Sequence, residues 1–333
     1  MKYTYNSLSS SPKQMPLVLA KVTSIIVIFL LFSLLTSRAV FSQGVNEKPM
    51  KVGALLKKYN KPTKKDCDIK VPHQYLTIQE GIDAAAPGDT VCVARGTYNE
   101  NVVINKTIRL SGRGATESVI NGQSSDSTVY ITGDARANDV VLEGFLIRGA
   151  DGTGLNDPAA INIGPFASGI VLRHNYVVAG NAQLAVRMDS GQSNDLVYNN
   201  VFEGNNSQVL FMDSGVQGPS YKVDFLNNTF LGTVNQTSPD NGRVLETWAT
   251  DSAIQFNAFN TTGLIGSLIA CAYSSNNVVT NNNFNSTVVL KVGTYSGGVL
   301  NAENNWWGDP DPSDNIYGDI DFTPFSTTPF TEN

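Results

Sequence analysis

A few polar side chains have types and spacing that could do chemistry together. The tetrapeptide Met-Asp-Ser-Gly occurs at 188–191 and again at 212–215, and Glu246 and Trp248 follow in the next strand-like segment. Asp189, Asp213 and Glu246, with Arg187 beside them, are the candidate catalytic set. Paired carboxylates can act as acid and base in glycosidic hydrolysis. Held about 5 Å apart on adjacent strands, they would raise one pKa or attract a hard cation, and calcium is the candidate cofactor. Arg187 or Lys291 could instead take or stabilise charge in a β-elimination, with calcium holding a uronate. Trp248 offers a flat apolar face to a sugar ring, and Asn162, Lys291 and Phe211 complete a candidate substrate-binding set. The bland alternative is a turn, in which each Asp caps its own backbone.

These residues are far apart in sequence, so only a repeating architecture can gather them. One pattern recurs: an alternating apolar run, then Asn, any residue, and an aromatic or apolar residue. It appears as Leu196-Val-Tyr-Asn-Asn200-Val-Phe202, Val223-Asp-Phe-Leu-Asn-Asn228-Thr-Phe230 and Ile254-Gln-Phe-Asn257-Ala-Phe259. Val278-Val-Thr-Asn-Asn282-Asn-Phe284 and Leu300-Asn-Ala-Glu-Asn-Asn305-Trp-Trp307 continue it, and looser copies key on Asn175 and Gly144. No helical stretch separates the copies. Such a unit cannot bury its apolar face alone, whereas stacking on a copy does so. Strands stacked in parallel give a solenoid, and a β-propeller is the second choice. Asn at a repeated corner suits this, because its amide can bond the residues above and below and it tolerates left-handed backbone.

Counting back from each Asn aligns the rungs 129–132, 160–164, 185–189, 209–213, 243–248, 268–272 and 289–293. With Val129, Ile161, Val186, Leu210 and Met212 inward, one outward column reads Tyr130, Asn162, Arg187, Phe211, Glu246, Ala270, Lys291. The next contains Asp189, Asp213 and Trp248. A one-residue slip would invert any rung.

Composition narrows the classes. Charged residues are 16% of 333 and hydrophobic residues 41%, which excludes a charged disordered chain or a coiled coil. Residues 71–333 carry 11 basic and 26 acidic residues, a formal charge of −15. A nucleic-acid partner is excluded on that charge. Two His and three Cys leave little for a zinc site.

Residues 1–42 read as a secretory signal: Lys2, Lys13 and Lys21 precede the apolar run 22–35, and small residues follow. The run is short for a membrane span, so membrane attachment is expected only through an uncleaved signal. Residues 43–70, with eight Lys, read as a basic linker, and 71–333 as the domain. Export permits a Cys67–Cys92 disulfide, while Cys271 reads as a core side chain. Asn105, Asn205, Asn227, Asn235, Asn260 and Asn285 begin glycosylation sequons.

The start of the domain is a capping box, Thr77-Ile-Gln-Glu80, opening a short helix with Ile78, Ile82 and Ala85 on one face. Leu76-Thr-Ile-Gln-Glu-Gly-Ile-Asp-Ala-Ala-Ala-Pro-Gly-Asp-Thr90 and Gly96-Thr-Tyr-Asn-Glu-Asn-Val102 resemble the opening of pectin-lyase-like right-handed parallel β-helix proteins. Asn304-Asn-Trp-Trp-Gly308, with Gly318-Asp-Ile-Asp-Phe-Thr-Pro-Phe325, is similar to the closing segment of repeat-type members. The resemblance implies an all-β, right-handed parallel β-helix with a short N-terminal capping helix. It does not choose an activity. The Gly-His-Gly of polygalacturonases, the Arg-x-Pro-x-x-Arg of pectate lyases, the site residues of pectin methylesterases and the Asp-Pro-His-Asp of mannuronan epimerases are all missing. The expectation is a secreted or cell-surface monomer that binds, and could cleave as a lyase or glycoside hydrolase, an extracellular polysaccharide or cell-surface glycan. The alternative is a non-catalytic adhesive or structural solenoid.

Overall fold

The computed structural model describes residues 67–331 except 124–126, 134–135, 150–158, 180–183, 208, 214–219, 235–242, 263–266, 273 and 296–297. The expected signal and most of the linker lie outside the described residues. No helix among the described residues is long and apolar enough to cross a membrane.

Short apolar alternations separated by Gly and Asn leave each strand only one way to bury its side chains, which is against the copy one coil away. The chain accordingly winds through about 8 turns of three parallel sheets, with eleven, nine and seven strands. In the eleven-stranded sheet Leu110, Leu142, Leu172, Val197, Phe225, Ile254 and Val279 stand in register and point inward. In the nine-stranded sheet Val129, Ile161 and Val186 form one inward column, continued by Leu245, Ile269 and Val292. The seven-stranded sheet supplies Ile147, Val177, Phe202, Phe230 and Phe259. Its aromatic rings run as a spine: Phe202, Phe230, Phe259, Phe284 and Trp307 follow one another at 4.8 to 5.4 Å between centroids. Each such fully buried side chain contributes about 1.5–3 kcal/mol by leaving water.

The expected Asn corner is present as a continuous buried ladder. Asn175 N–H donates to Asn200 Oδ1, Asn200 to Asn228, Asn228 to Asn257, Asn257 to Asn282 and Asn282 to Asn305, at 2.8 to 3.1 Å. Each side-chain amide also donates back to a carbonyl of the coil below, as Asn228 does to Val197. A corner buried at this depth would otherwise hold unpaired backbone groups, each costing about 1–3 kcal/mol. The left-handed residue is the one before the ladder Asn: His174, Asn199, Asn227, Phe256, Asn281 and Asn304 all have φ between 54° and 59°. The first coil of the pattern therefore aligns one residue later than expected. Gly144, with φ of 75°, occupies the left-handed position, and Phe145 N–H starts the ladder by donating to Asn175 Oδ1.

At the start of the domain, Cys67 and Cys92 form a disulfide. Ile78–Ala84 is a helix (α1) with the Thr77–Glu80 capping box formed and Ile78, Gly81 and Ile82 buried. Glu100 adds a second carboxylate to its N-terminus, accepting from the N–H groups of Ile78 and Gln79 at 2.9 and 3.0 Å. Cys271 is a buried free thiol, its pKa pushed up to about 12 by burial.

Candidate functional site

The outward column of the nine-stranded sheet is set by backbone register. Asn162 pairs with Arg187, Arg187 with Met212, Met212 with Glu246, Glu246 with Ala270, Ala270 with Gly293 and Gly293 with Tyr317. Arg187 and Glu246 are thus on one face, two coils and about 10 Å apart. Two members of the expected set are displaced. Phe211 pairs with Val186 and Leu245, both core residues, so Met212 takes its place in the column. Asp213 accordingly stands level with Met188 and not beside Asp189. Val209-Leu-Phe-Met212 is apolar at four consecutive positions, so a period of two cannot choose the register from sequence. The side chains of Phe211 and Asp213 lie outside the described part of the structure.

Lys291 is also displaced. It stands beside Leu290, which pairs with Ser267, and Gly293 occupies the expected outward place. Its ammonium is buried and donates to the carbonyls of Ser286 and Val288. Burial lowers its pKa, with Asp309 and Asp314 opposing that shift.

What remains on the face forms two groups. In the first, Arg187 Nε donates to Asp189 Oδ1 at 2.9 Å, with both side chains about a quarter exposed. Asn162 lies on the neighbouring strand, and its Oδ1 is buried with no partner among the described residues. Asp189 is therefore an ion-pair partner of Arg187. In the second group, Glu246 Oε1 accepts from Arg243 Nη1 at 2.6 Å and from the Trp248 indole N–H at 3.0 Å. The Arg243 guanidinium lies 5.2 Å from the centroid of the Tyr295 ring, and Tyr295 lies 5.3 Å from Tyr317, which is 55% exposed. Burial alone would lower the Arg243 pKa, but Glu246 and Tyr295 beside it raise it. Arg243 Nε has no partner among the described residues. Ala270 and Gly293 continue the column with almost no side chain, and both are buried, with Tyr295 and Tyr317 against Gly293. The patch holds a fixed cation, a bonded carboxylate and three aromatic rings, which is equipment for holding a polar ring with an apolar face.

A second charged group stands outward on the eleven-stranded sheet, where Ser111, Glu143, Arg173 and Tyr198 are in register. Glu143 accepts from Arg109 Nε at 2.6 Å and Ser111 Oγ at 2.8 Å, and from Arg173 on its other oxygen. Arg173 Nη1 donates to Tyr198 OH at 2.8 Å. Burial alone would raise the Glu143 pKa, but Arg173, Arg109 and Ser111 hold it below the usual carboxylate range. His174 lies edge-on to Tyr198, its pKa lowered by burial and by Arg173. No group of three or more His, Cys, Asp or Glu side chains among the described residues is arranged to hold a metal ion. Asp309 and Asp311 accept from the backbone N–H groups of Asp311 and Ser313.

Three parallel sheets closed into one coil, with an Asn ladder at a single corner, decide the architecture. The fold is a parallel β-helix. No protein-family model matches this β-helix chain. A 78-residue stretch, 22% of the chain, is 38% identical to a cell surface glycoprotein of Methanothermus fervidus, and it spans only 12% of that protein. Among solved structures, an alginate lyase from Paenibacillus sp. covers 73% of this chain and 95% of its own, at 11% identity and a TM-score of 0.44. A pectin methylesterase from Aspergillus niger covers 80% of this chain and 91% of its own, at 14% identity and a TM-score of 0.40. A mannuronan C-5 epimerase A-module from Azotobacter vinelandii covers 73% and 74%, at 13% identity and a TM-score of 0.32. At these values the solved structures say nothing about what the β-helix acts on.

Arg243, Tyr295 and Tyr317 were not singled out from the sequence, nor was the Glu143 network. For Glu143 a signal existed: the residue two before each ladder position (143, 173, 198, 226, 255, 280) is one outward column.

Proposed function

We propose that this chain is an exported β-helix protein that binds polysaccharide along the outward face of the nine-stranded sheet. Asn162, Arg187, Asp189, Glu246, Trp248 and the neighbouring Arg243, Tyr295 and Tyr317 form its binding surface. The observation that carries this reading is the Glu246 patch, where a bonded carboxylate and a cation sit among three aromatic rings, one of them the exposed Tyr317. Binding is favoured over cleavage by the same geometry. Glu246 is engaged by Arg243 and Trp248, Asp189 by Arg187, and Asp213 does not stand level with Asp189, so no described pair of free carboxylates faces a shared substrate position. A lyase or glycosidase reading would need a second free carboxylate beside Asp189 or Glu246. Calcium would have to bring its ligands partly from the substrate.

The remaining parts of the reading are a leader at 1–42 that directs export, a basic linker at 43–70, a right-handed winding, a monomeric state, and α1 as the lid of the first coil. The burial of Ile78 and Ile82 supports the lid, and the handedness preference of parallel crossovers supports the winding. A second reading, a structural solenoid on a cell surface, is favoured by the short match to the Methanothermus glycoprotein. Calorimetric titration with a panel of acidic and neutral polysaccharides, with and without calcium, tests the first reading. Binding that falls about tenfold in Glu246→Gln supports it, and no binding to any member overturns it. Unsaturated products or new reducing ends would restore the cleaving alternative.

A further inference from the structure

A separate groove lies at the end of the seven-stranded sheet, away from the column just described. Its volume is about 390 Å³, within the usual range of small-molecule sites. The lining residues are Asn260-Thr-Thr262 and Asn285-Ser-Thr287 from successive coils, Phe284 at the base, and Trp306 with Gly308 at the edge. None of these side chains is charged. The two Asn-hydroxyl-Thr segments are stacked by their own hydrogen bonds. Asn285 Nδ2 donates to Asn260 Oδ1 at 3.2 Å, and the Thr261 and Ser286 hydroxyls are 3.1 Å apart. This arrangement leaves the amide N–H groups of Asn260 and the amide oxygen of Asn285 for another partner. The two consecutive tryptophans divide their roles. Trp307 is buried in the aromatic spine, its indole N–H without a partner among the described residues, whereas Trp306 is half-buried in the groove wall.

We infer that this groove binds a neutral sugar unit, with a ring face against Trp306 and ring hydroxyls bonded to Asn260 and Asn285. A wall of uncharged amides and hydroxyls satisfies sugar hydroxyls without the desolvation cost of an ion, and an aromatic plane matches the apolar face of a pyranose. The formal charge of −15 over 71–333 disfavours an anionic sugar. The ligand is a free glycan; a sugar joined to Asn285 at its own sequon would present the same chemistry. Production in a bacterial periplasm excludes that second source while permitting the Cys67–Cys92 bridge.

The test is calorimetric titration of the full chain with neutral hexasaccharides: cello-, xylo-, manno- and chitohexaose. At least one should bind, about tenfold more weakly to Trp306→Ala and to Thr287→Arg, which places a long side chain at an exposed rim position. A tenfold change is about 1.4 kcal/mol. Thr287→Arg should cost the same tenfold in a Glu246→Gln background as in the parent, which separates this groove from the nine-stranded face. If Trp306→Ala fails to fold, Thr287→Arg alone decides. No binding of any of the four hexasaccharides, or unchanged affinity in a folded Thr287→Arg protein, overturns the inference.

Discussion

Glu143 and Glu246 are both glutamates on outward sheet faces, both bonded to arginine, and both less than 10% exposed. Their surroundings differ. Glu143 is enclosed: two arginines and a serine hydroxyl occupy its oxygens, and Tyr198 accepts the spare donor of Arg173. Glu246 is bonded on one oxygen by Arg243 and Trp248, Arg243 keeps an unpartnered Nε, and the adjoining rings lead out to the exposed Tyr317. A closed network holds coils together. An open one keeps ring faces for a ligand. Charge and burial alone do not separate the two; the completeness of the hydrogen bonding does.

The largest effect should come from breaking the closed network. Glu143→Ala leaves Arg109 and Arg173 buried without their shared carboxylate, and a loss of about 3–5 kcal/mol is expected in denaturant unfolding. Polysaccharide binding, measured below the lowered melting temperature, should be unchanged. The pH dependence has a definite sign. The folded Glu143 pKa lies below its unfolded value, so its contribution is complete above the ordinary glutamate pKa. It is lost as pH falls through the depressed folded value. Acid unfolding midpoints should therefore show a slope in the parent that Glu143→Gln removes. His174 acts in the same direction at higher pH: its lowered folded pKa means stability is lost as pH falls below the ordinary histidine value.

The open network should respond in the opposite way. Glu246→Gln keeps an acceptor for Trp248 and Arg243, and about 1 kcal/mol of stability should be lost. Polysaccharide affinity in calorimetry should drop about tenfold, or about 1.4 kcal/mol. The smallest stability effect belongs to Tyr317→Ala, within about 0.5 kcal/mol because the ring is mostly exposed. Its affinity should still fall a few-fold. If Glu143→Ala abolished binding while Glu246→Gln did not, the assignment of the two faces would be reversed.

The sequence carried the fold because the solenoid writes it repeatedly. Asn175, Asn200, Asn228, Asn257, Asn282 and Asn305 sit at one corner, where each side-chain amide both accepts and donates between coils. The site was less legible. Asp189, Arg187, Glu246 and Trp248 were placed on the correct face wherever polar and apolar residues alternate. Register failed at 209–213 and shifted at Lys291, where an apolar run and an early strand start removed the alternation. Arg243 and Tyr295 escaped because they lie beside the regular column, and their meeting depends on how the coil bends at its corner.

Hydrogen exchange of the full chain, with and without its tightest-binding acidic or neutral polysaccharide, tests the central distinction most directly. Slowed exchange at 243–248 and 292–295, with none at 141–143 and 171–173, is the expected result. Protection of the Glu143 strands, with the Glu246 strands unaffected, would contradict it.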